Sequence, residues 1–429
     1  MQIPGSHATA TTTRTAAISV DWAVLTSFTA ALILVGIAWP SPEGIWRGWA
    51  RILTHPSLLL SDFFTIGGPG AAFVNSGTVG LIGLSLVRAS RIPLSGPTMA
   101  AVFTMAGFAF FGKTPLNILP IVAGVFLGTR LRGQEFRTAL LAALFGTAIG
   151  PLVSHLAFGL GWGIVVGGAA GIVAGLMLPE LAAHLVANHR GLNLYNMGFA
   201  AGILGTLAAA LLAGVGEPVR TLLVLGDAYH KPLICLFAAY FCALVLVGLS
   251  LNTGGAMAFK SILKEPGTLV TDFVSIAGLP ATFVNMGALG LMGLGYVVLV
   301  GGTLNGPTLG GLMTMAGFGA FGKHPRNAAP IMLGVFLGTF VTRFSPSEPG
   351  PLLAALFGTA LAPVSGNFGP IAGVIAGWLH LNMVTHVTVF HGGMNLYNNG
   401  LSAGLVAIFI VVGAKIIDGI RRSGRKEAN

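Results

Sequence analysis

Charge is what this sequence has least of: 8% of its 429 residues are charged against 54% hydrophobic, where a soluble domain carries roughly 25% charged residues. A soluble fold is thereby excluded. The apolar residues come in runs about 17 to 25 long, each able to cross a hydrocarbon core of roughly 30 Å as a helix. The ten-residue alternation that a membrane β-barrel would need is missing. Cysteine is scarce too: Cys235 and Cys242 fall on one expected helix, about 10 Å apart along its axis and beyond the roughly 7 Å a bridge allows. The net charge is +10, but the basic residues form no long patch, which speaks against a nucleic-acid partner. No basic region precedes a short apolar core at the N-terminus, so 22–39 reads as a first span rather than a cleaved signal. No Walker loop, GxGxxG, HExxH or GxSxG occurs, and the histidines are too scattered for a metal site. No cofactor, metal or catalytic set is expected.

Glycine, by contrast, is abundant, with 64 residues, which suits closely packed membrane helices and also non-helical breaks at membrane depth. The chain is written twice. GPTMAAVFTMAGFAFFGKTPLN (96–117) faces GPTLGGLMTMAGFGAFGKHPRN (306–327), with 13 of 22 positions identical, and PIVAGVFLGT (120–129) faces PIMLGVFLGT (330–339). Further on, GLNLYNMGFAAG (191–202) faces GMNLYNNGLSAG (393–404), the offset having shrunk because the first half carries extra residues between Pro151 and Ala170. An internal duplication of this kind is the mark of many transporter folds.

Each half is expected to hold about seven crossings, the first near 22–40, 73–90, 96–112, 115–130, 137–157, 163–187 and 198–215. SDFFTIGGPGAAF (61–73) and TDFVSIAGLPATF (271–283) are interrupted by Gly and Pro and read as re-entrant or broken helices. An odd number of crossings per half predicts inverted topology. With the N-terminus placed in the cytoplasm, sixteen of the 22 basic residues fall inside, as the positive-inside rule asks. The expected architecture is therefore all-α and polytopic: a disordered tail over 1–20, a first membrane repeat over 21–228, a second, inverted one over 229–420, and a basic cytoplasmic tail over 421–429. The expected location is a bacterial inner membrane, with both termini cytoplasmic. GIWRGWARIL (44–53) separates Ile45, Trp46, Trp49, Ile52 and Leu53 from Arg47 and Arg51 on a helix and should lie along the interface.

Polar residues that occur in both halves matter most, because inversion brings equivalent positions to a shared axis. The candidate solute-binding set is Asn193, Tyr195 and Asn196 with Asn395, Tyr397 and Asn398, together with Asn75 and Asn285. A helix break there would aim free N–H groups and side chains at a solute; an ordinary helix cap explains one Asn of each phrase. Asp62 and Asp272 lie among apolar neighbours and are candidates for proton or ion coupling, with capping as the alternative. His184, His386, His189 and His391 join them as candidate relays, with bonding across helix interfaces as the alternative. Lys113 and Lys323, in FGKTPLN and FGKHPRN, read as cations complementing a helix C-terminus.

On the FGKxPxN and NLYN repeats the chain resembles an uncharacterised family of bacterial multi-pass membrane proteins, a domain of unknown function, over nearly its whole length. More distantly, the paired polar breaks are similar to those of the urea transporter family, which implies an oligomeric, inverted-repeat channel with a pore in each protomer. Seven crossings per half, and Asp and His among the candidates, depart from that pattern. The expected function is a channel or secondary transporter for a small polar solute, with H+ or Na+ as coupling ion if coupled, the lipid bilayer as surroundings and a homo-oligomer open. The alternatives are a membrane-embedded enzyme using the paired Asp and His, and a structural membrane protein without a substrate.

Overall fold

The computed structural model describes the backbone of residues 7–251 and 255–427, and side chains from Trp22 onward apart from residues 252–256, 422 and 424–429. It is all-α, with no strands among the described residues. The first half contains α1 (His7–Ala38), α2 (Ile45–Leu53), α3 (Phe63–Gly67), α4 (Pro69–Ala89), α5 (Gly96–Phe108), α6 (Pro115–Leu131), α7 (Leu140–Gly146), α8 (Gly150–Ser154), α9 (Ile164–His189) and α10 (Asn196–Gly214). The second contains α11 (His230–Leu251), α12 (Gly255–Ile262), α13 (Phe273–Leu299), α14 (Gly306–Gly317), α15 (Pro325–Thr339), α16 (Pro349–Gly358), α17 (Ala362–Phe368), α18 (Pro370–His391) and α19 (Asn398–Glu427). Residues 1–6 of the expected N-terminal tail and 428–429 of the C-terminal one lie outside the described residues.

By length and composition, nine helical segments among the described residues can cross a membrane, and Trp22–Ala38 and Pro115–Leu131 are shorter apolar helices. The helices of the GPT segments are different. α5 has 13 residues and α14 has 12, all buried, so at 1.5 Å per residue neither spans the roughly 30 Å core. They lie side by side and antiparallel: Gly96 at the start of α5 abuts Ala320 just past α14, and Gly306 at the start of α14 abuts Phe110 just past α5.

Local chemistry explains the breaks. Gly68 and Gly278 hold φ of 81° and 80°, a region that L side chains avoid. There α3 stops before α4, and α13 kinks. Ser95 and Asn305 cap α5 and α14 in capping boxes with Thr98 and Thr308, and each is followed by Pro in the first turn, whose missing N–H costs nothing there. Thr114 with Asn117, and His324 with Asn327, do the same for α6 and α15. α2 packs its Gly48 and Ile52 inward, while Trp46 is exposed and Arg51 pairs with Glu43 on the outer side.

Candidate functional site at the meeting of the two NLYN phrases

The two NLYN phrases meet at the centre of the fold. Asn193 and Asn395 each accept from the backbone N–H two residues on, at 2.9 and 3.0 Å, a turn that Asn favours. Each then reaches into the other half: Asn193 Nδ2 donates to Gly400 O at 3.2 Å, and Asn395 Nδ2 donates to Gly198 O at 3.1 Å. The backbone repeats the exchange, with Leu194 N donating to Ala360 O and Leu396 N to Ala148 O, both at 3.0 Å. The approach is so close that a Cβ on Gly400 would lie 2.8 Å from the Gly198 Cα. Tyr195 and Tyr397, both buried, bring their rings to 4.9 Å between centroids.

The last Asn of each phrase is spent on the preceding helix. His189 and His391 end α9 and α18, and each accepts at Nδ1 from the backbone of the turn that follows. A ring that accepts at Nδ1 carries its proton on Nε2, which fits the contacts with Asn196 Oδ1 at 2.9 Å and Asn398 Oδ1 at 2.8 Å. The amide nitrogens return to Ala182 O, and to Val384 O and Thr388 Oγ1. Asn75 and Asn285 bind the break after α5 and α14: Asn75 Nδ2 donates to Ala109 O and Lys113 O, Asn285 Nδ2 to Gly319 O and Lys323 O. Trp49 donates to Asn75 Oδ1 at 3.2 Å; Phe259 stands at the equivalent position, and Asn285 Oδ1 has no partner among the described residues.

The aspartates act across the halves. Asp62 accepts from Phe64 N and Thr65 Oγ1 at the start of α3, and from Gly306 N at 3.0 Å, the start of α14. Asp272 accepts from Val274 N, from Ser275 Oγ, and from Gly96 N at 2.8 Å, the start of α5. Each carboxylate thus caps one helix of its own half and one of the other, where the helix dipole favours negative charge. His184 and His386 are exposed and bonded to the carbonyls one turn back, Glu180 O and Asn382 O. They lie apart from the central cluster.

The centre also holds the two lysines of the FGK breaks. Lys113 and Lys323 are fully buried. Lys323 Nζ hydrogen-bonds Tyr195 Oη and Thr359 Oγ1, and sits 4.3 Å from the Tyr195 ring centroid. Lys113 Nζ lies 5.1 Å over the Phe108 ring, which in turn is 4.4 Å from Tyr397. Lys113 Nζ and Thr314 Oγ1 have no hydrogen-bond partner among the described residues, and Tyr397 Oη and Thr104 Oγ1, which neighbour each other, have none in good geometry. Lysine at a helix end usually complements the C-terminal carbonyls. Here Asn75 and Asn285 have taken those carbonyls, and Asn117 and Asn327 take Gly112 O and Gly322 O. The signal available in the sequence was a lysine kept at the same break in both halves with no acid placed to match it.

A second feature is confined to one half. His380 is buried between Asn399 Oδ1 at 2.9 Å and Ser402 Oγ at 3.0 Å, where the first half has Leu178, Met197 and Ala200. Asn399 also lines a cavity of about 520 Å3 open to the surface, with Arg343, Glu348, His386 and Asn398 on its walls. Phe111, Phe357 and Leu396 line it as well. Phe111 and Phe357 pack on Phe108, the ring next to Lys113 Nζ, at 5.0 and 5.6 Å, and Phe357 also lies 6.4 Å from the Tyr195 ring.

Comparison with known families identifies one match, described as a protein of unknown function (DUF1576), over residues 41–214 and again over 252–415. The chain belongs to this family. The two matched segments coincide with the two halves that exchange hydrogen bonds at the centre. No curated protein and no solved structure matches the chain.

Proposed function

We propose that this membrane protein is a channel or secondary transporter for a small polar solute, with its site where the two NLYN phrases meet and its halves inverted in a bacterial inner membrane, both termini cytoplasmic. The observation that carries the reading is the reciprocal pairing of Asn193 with Gly400 and Asn395 with Gly198 around two buried tyrosines and two buried lysines. Contacts that pair i with j′ and i′ with j are those of a two-fold axis. Because α5 and α14 run antiparallel beside that axis, it is perpendicular to them. If these helices lie along the membrane normal, the axis lies in the membrane plane, the arrangement of inverted-repeat transporters.

Short, buried half-helices and non-helical backbone are tolerated at membrane depth where protein or a water-filled path satisfies them. The difference between the halves favours a transporter that alternates its access. Lys323 is engaged by Tyr195 and Thr359, whereas Lys113 is not engaged by Tyr397, and two residues that line the surface-open cavity, Phe111 and Phe357, pack on the Phe108 ring beside Lys113. Purified protein in proteoliposomes, tested for uptake of urea, methylammonium, amino acids and small organic anions, should admit at least one above protein-free liposomes. Uptake of none of them would count against the reading.

A further inference from the structure

We infer that the solute of this site is a small anion, a carboxylate or inorganic oxyanion, recognised at the Lys113 ammonium and the Tyr397 hydroxyl, with Lys323 and Tyr195 as the equivalent pair of the other half; the inference rests on the transport reading for its physiological setting but not for its binding chemistry. Two ammonium groups bring three donors each and no acceptor, and each Tyr and Thr hydroxyl adds one donor and can accept, as Tyr195 and Thr359 do from Lys323. Matching acceptors are few. Asn75, Asn117, Asn285 and Asn327 occupy the carbonyls around each lysine. Among the described residues no carboxylate pairs with either lysine: the ion pairs there are Arg51–Glu43, Arg132–Glu180 and Arg137–Glu135. Asp62 and Asp272 are committed to helix starts.

The rings of Phe108, Tyr397, Tyr195 and Phe318 run continuously between the lysines, with Tyr195 4.8 Å from Phe318. A cation over an aromatic face gains about 0.5 to 2 kcal/mol, less than the several kcal/mol it costs to desolvate an ammonium. Four buried groups, Lys113 Nζ, Tyr397 Oη, Thr104 Oγ1 and Thr314 Oγ1, are left without partners in good geometry. A solute rich in acceptors and bearing negative charge satisfies this set. A cation is repelled by it, and a neutral solute such as urea adds donors where donors are already in excess.

The test has a binding arm and a flux arm. In detergent, the melting temperature of the full-length protein is measured against formate, acetate, nitrate and phosphate as sodium salts, with urea, glycerol and methylammonium chloride as comparisons; sodium chloride at matched ionic strength is the control. The expected result is saturable stabilisation by at least one oxyanion. Lys113→Met and Lys323→Met should each weaken that affinity about tenfold or more, the scale of losing a charge-assisted hydrogen bond. Lys113→Met should not melt lower without the anion, because an apolar chain of similar length relieves a buried unpartnered charge, whereas Lys323→Met, which strips Tyr195 Oη of its partner, should melt lower. Tyr397→Phe removes only a hydroxyl without a partner in good geometry and serves as the second variant should a lysine replacement fail to fold; it too should weaken the anion effect. Carboxylate against nitrate and phosphate distinguishes the two sources of negative charge. Stabilisation by urea or methylammonium but by no oxyanion, or oxyanion stabilisation that survives the substitutions, overturns the inference. Anion binding without flux in proteoliposomes leaves the inference standing and defeats the transport reading.

Discussion

At the residue scale, the polar side chains near the centre fall into two groups, those whose bonds are spent within the protein and those whose bonds are not. Asp62 belongs to the first. It is 1% exposed and accepts three hydrogen bonds, one from the start of α14 in the other half. Asp62→Ala is expected to destabilise the protein by about 2 to 4 kcal/mol, combining a lost cap with an unsatisfied cross-repeat N–H. Asp272, which is less buried, should cost less on the same substitution. Thermal unfolding in detergent measures both, and flux per folded molecule separates capping from ion coupling: the caps predict unchanged flux in what remains folded. The tyrosines were legible as candidates because the phrase occurs twice. The lysines look like helix-end charges in the sequence, which does not show that Asn75 and Asn117, distant or local, claim the carbonyls first.

At the scale of elements, two interruptions decide the shape of the centre. Gly68 and Gly278 sit at positive φ, and a Cβ at Gly68 would meet open space while one at Gly278 would meet Pro280 Cδ at an ordinary 3.7 Å. Alanine at either site therefore tests backbone conformation alone. Each should cost about 1 to 2 kcal/mol, read as a lower melting temperature. Gly400 tests packing instead. Gly400→Val should separate α10 from α19, breaking the reciprocal asparagine bonds and reducing folded yield far more than Gly413→Val, since Gly413 has open space around it. The broken segments, the capped GPT helices and the amphipathic α2 were all legible from Gly, Pro, Ser and Asn placement and from the Trp and Arg pattern. The length of α5 and α14 was not. The apolar run continues through FAFF and FGAF (108–111 and 318–321), so hydropathy carries a span past the point where Asn75 and Asn285 pull the chain out of the helix.

At the scale of the molecule, the duplication visible in the sequence becomes a single centre to which each half contributes equivalent residues. It is the contacts between halves, such as Asp62 with Gly306 and Asp272 with Gly96, that a sequence cannot display, because the residues joined lie far apart in the chain. The central claim is that the halves face opposite sides of the membrane around this one site. Gln134 follows α6 and Ser345 follows α15; both are exposed, in loops at matching places of the repeat. In a protein with Cys235 and Cys242 replaced by Ser, single cysteines at these two positions can be labelled in intact cells with a membrane-impermeant maleimide. The inverted arrangement predicts that Ser345→Cys labels from outside and that Gln134→Cys labels only after permeabilisation. Labelling of both positions from the same side would contradict it.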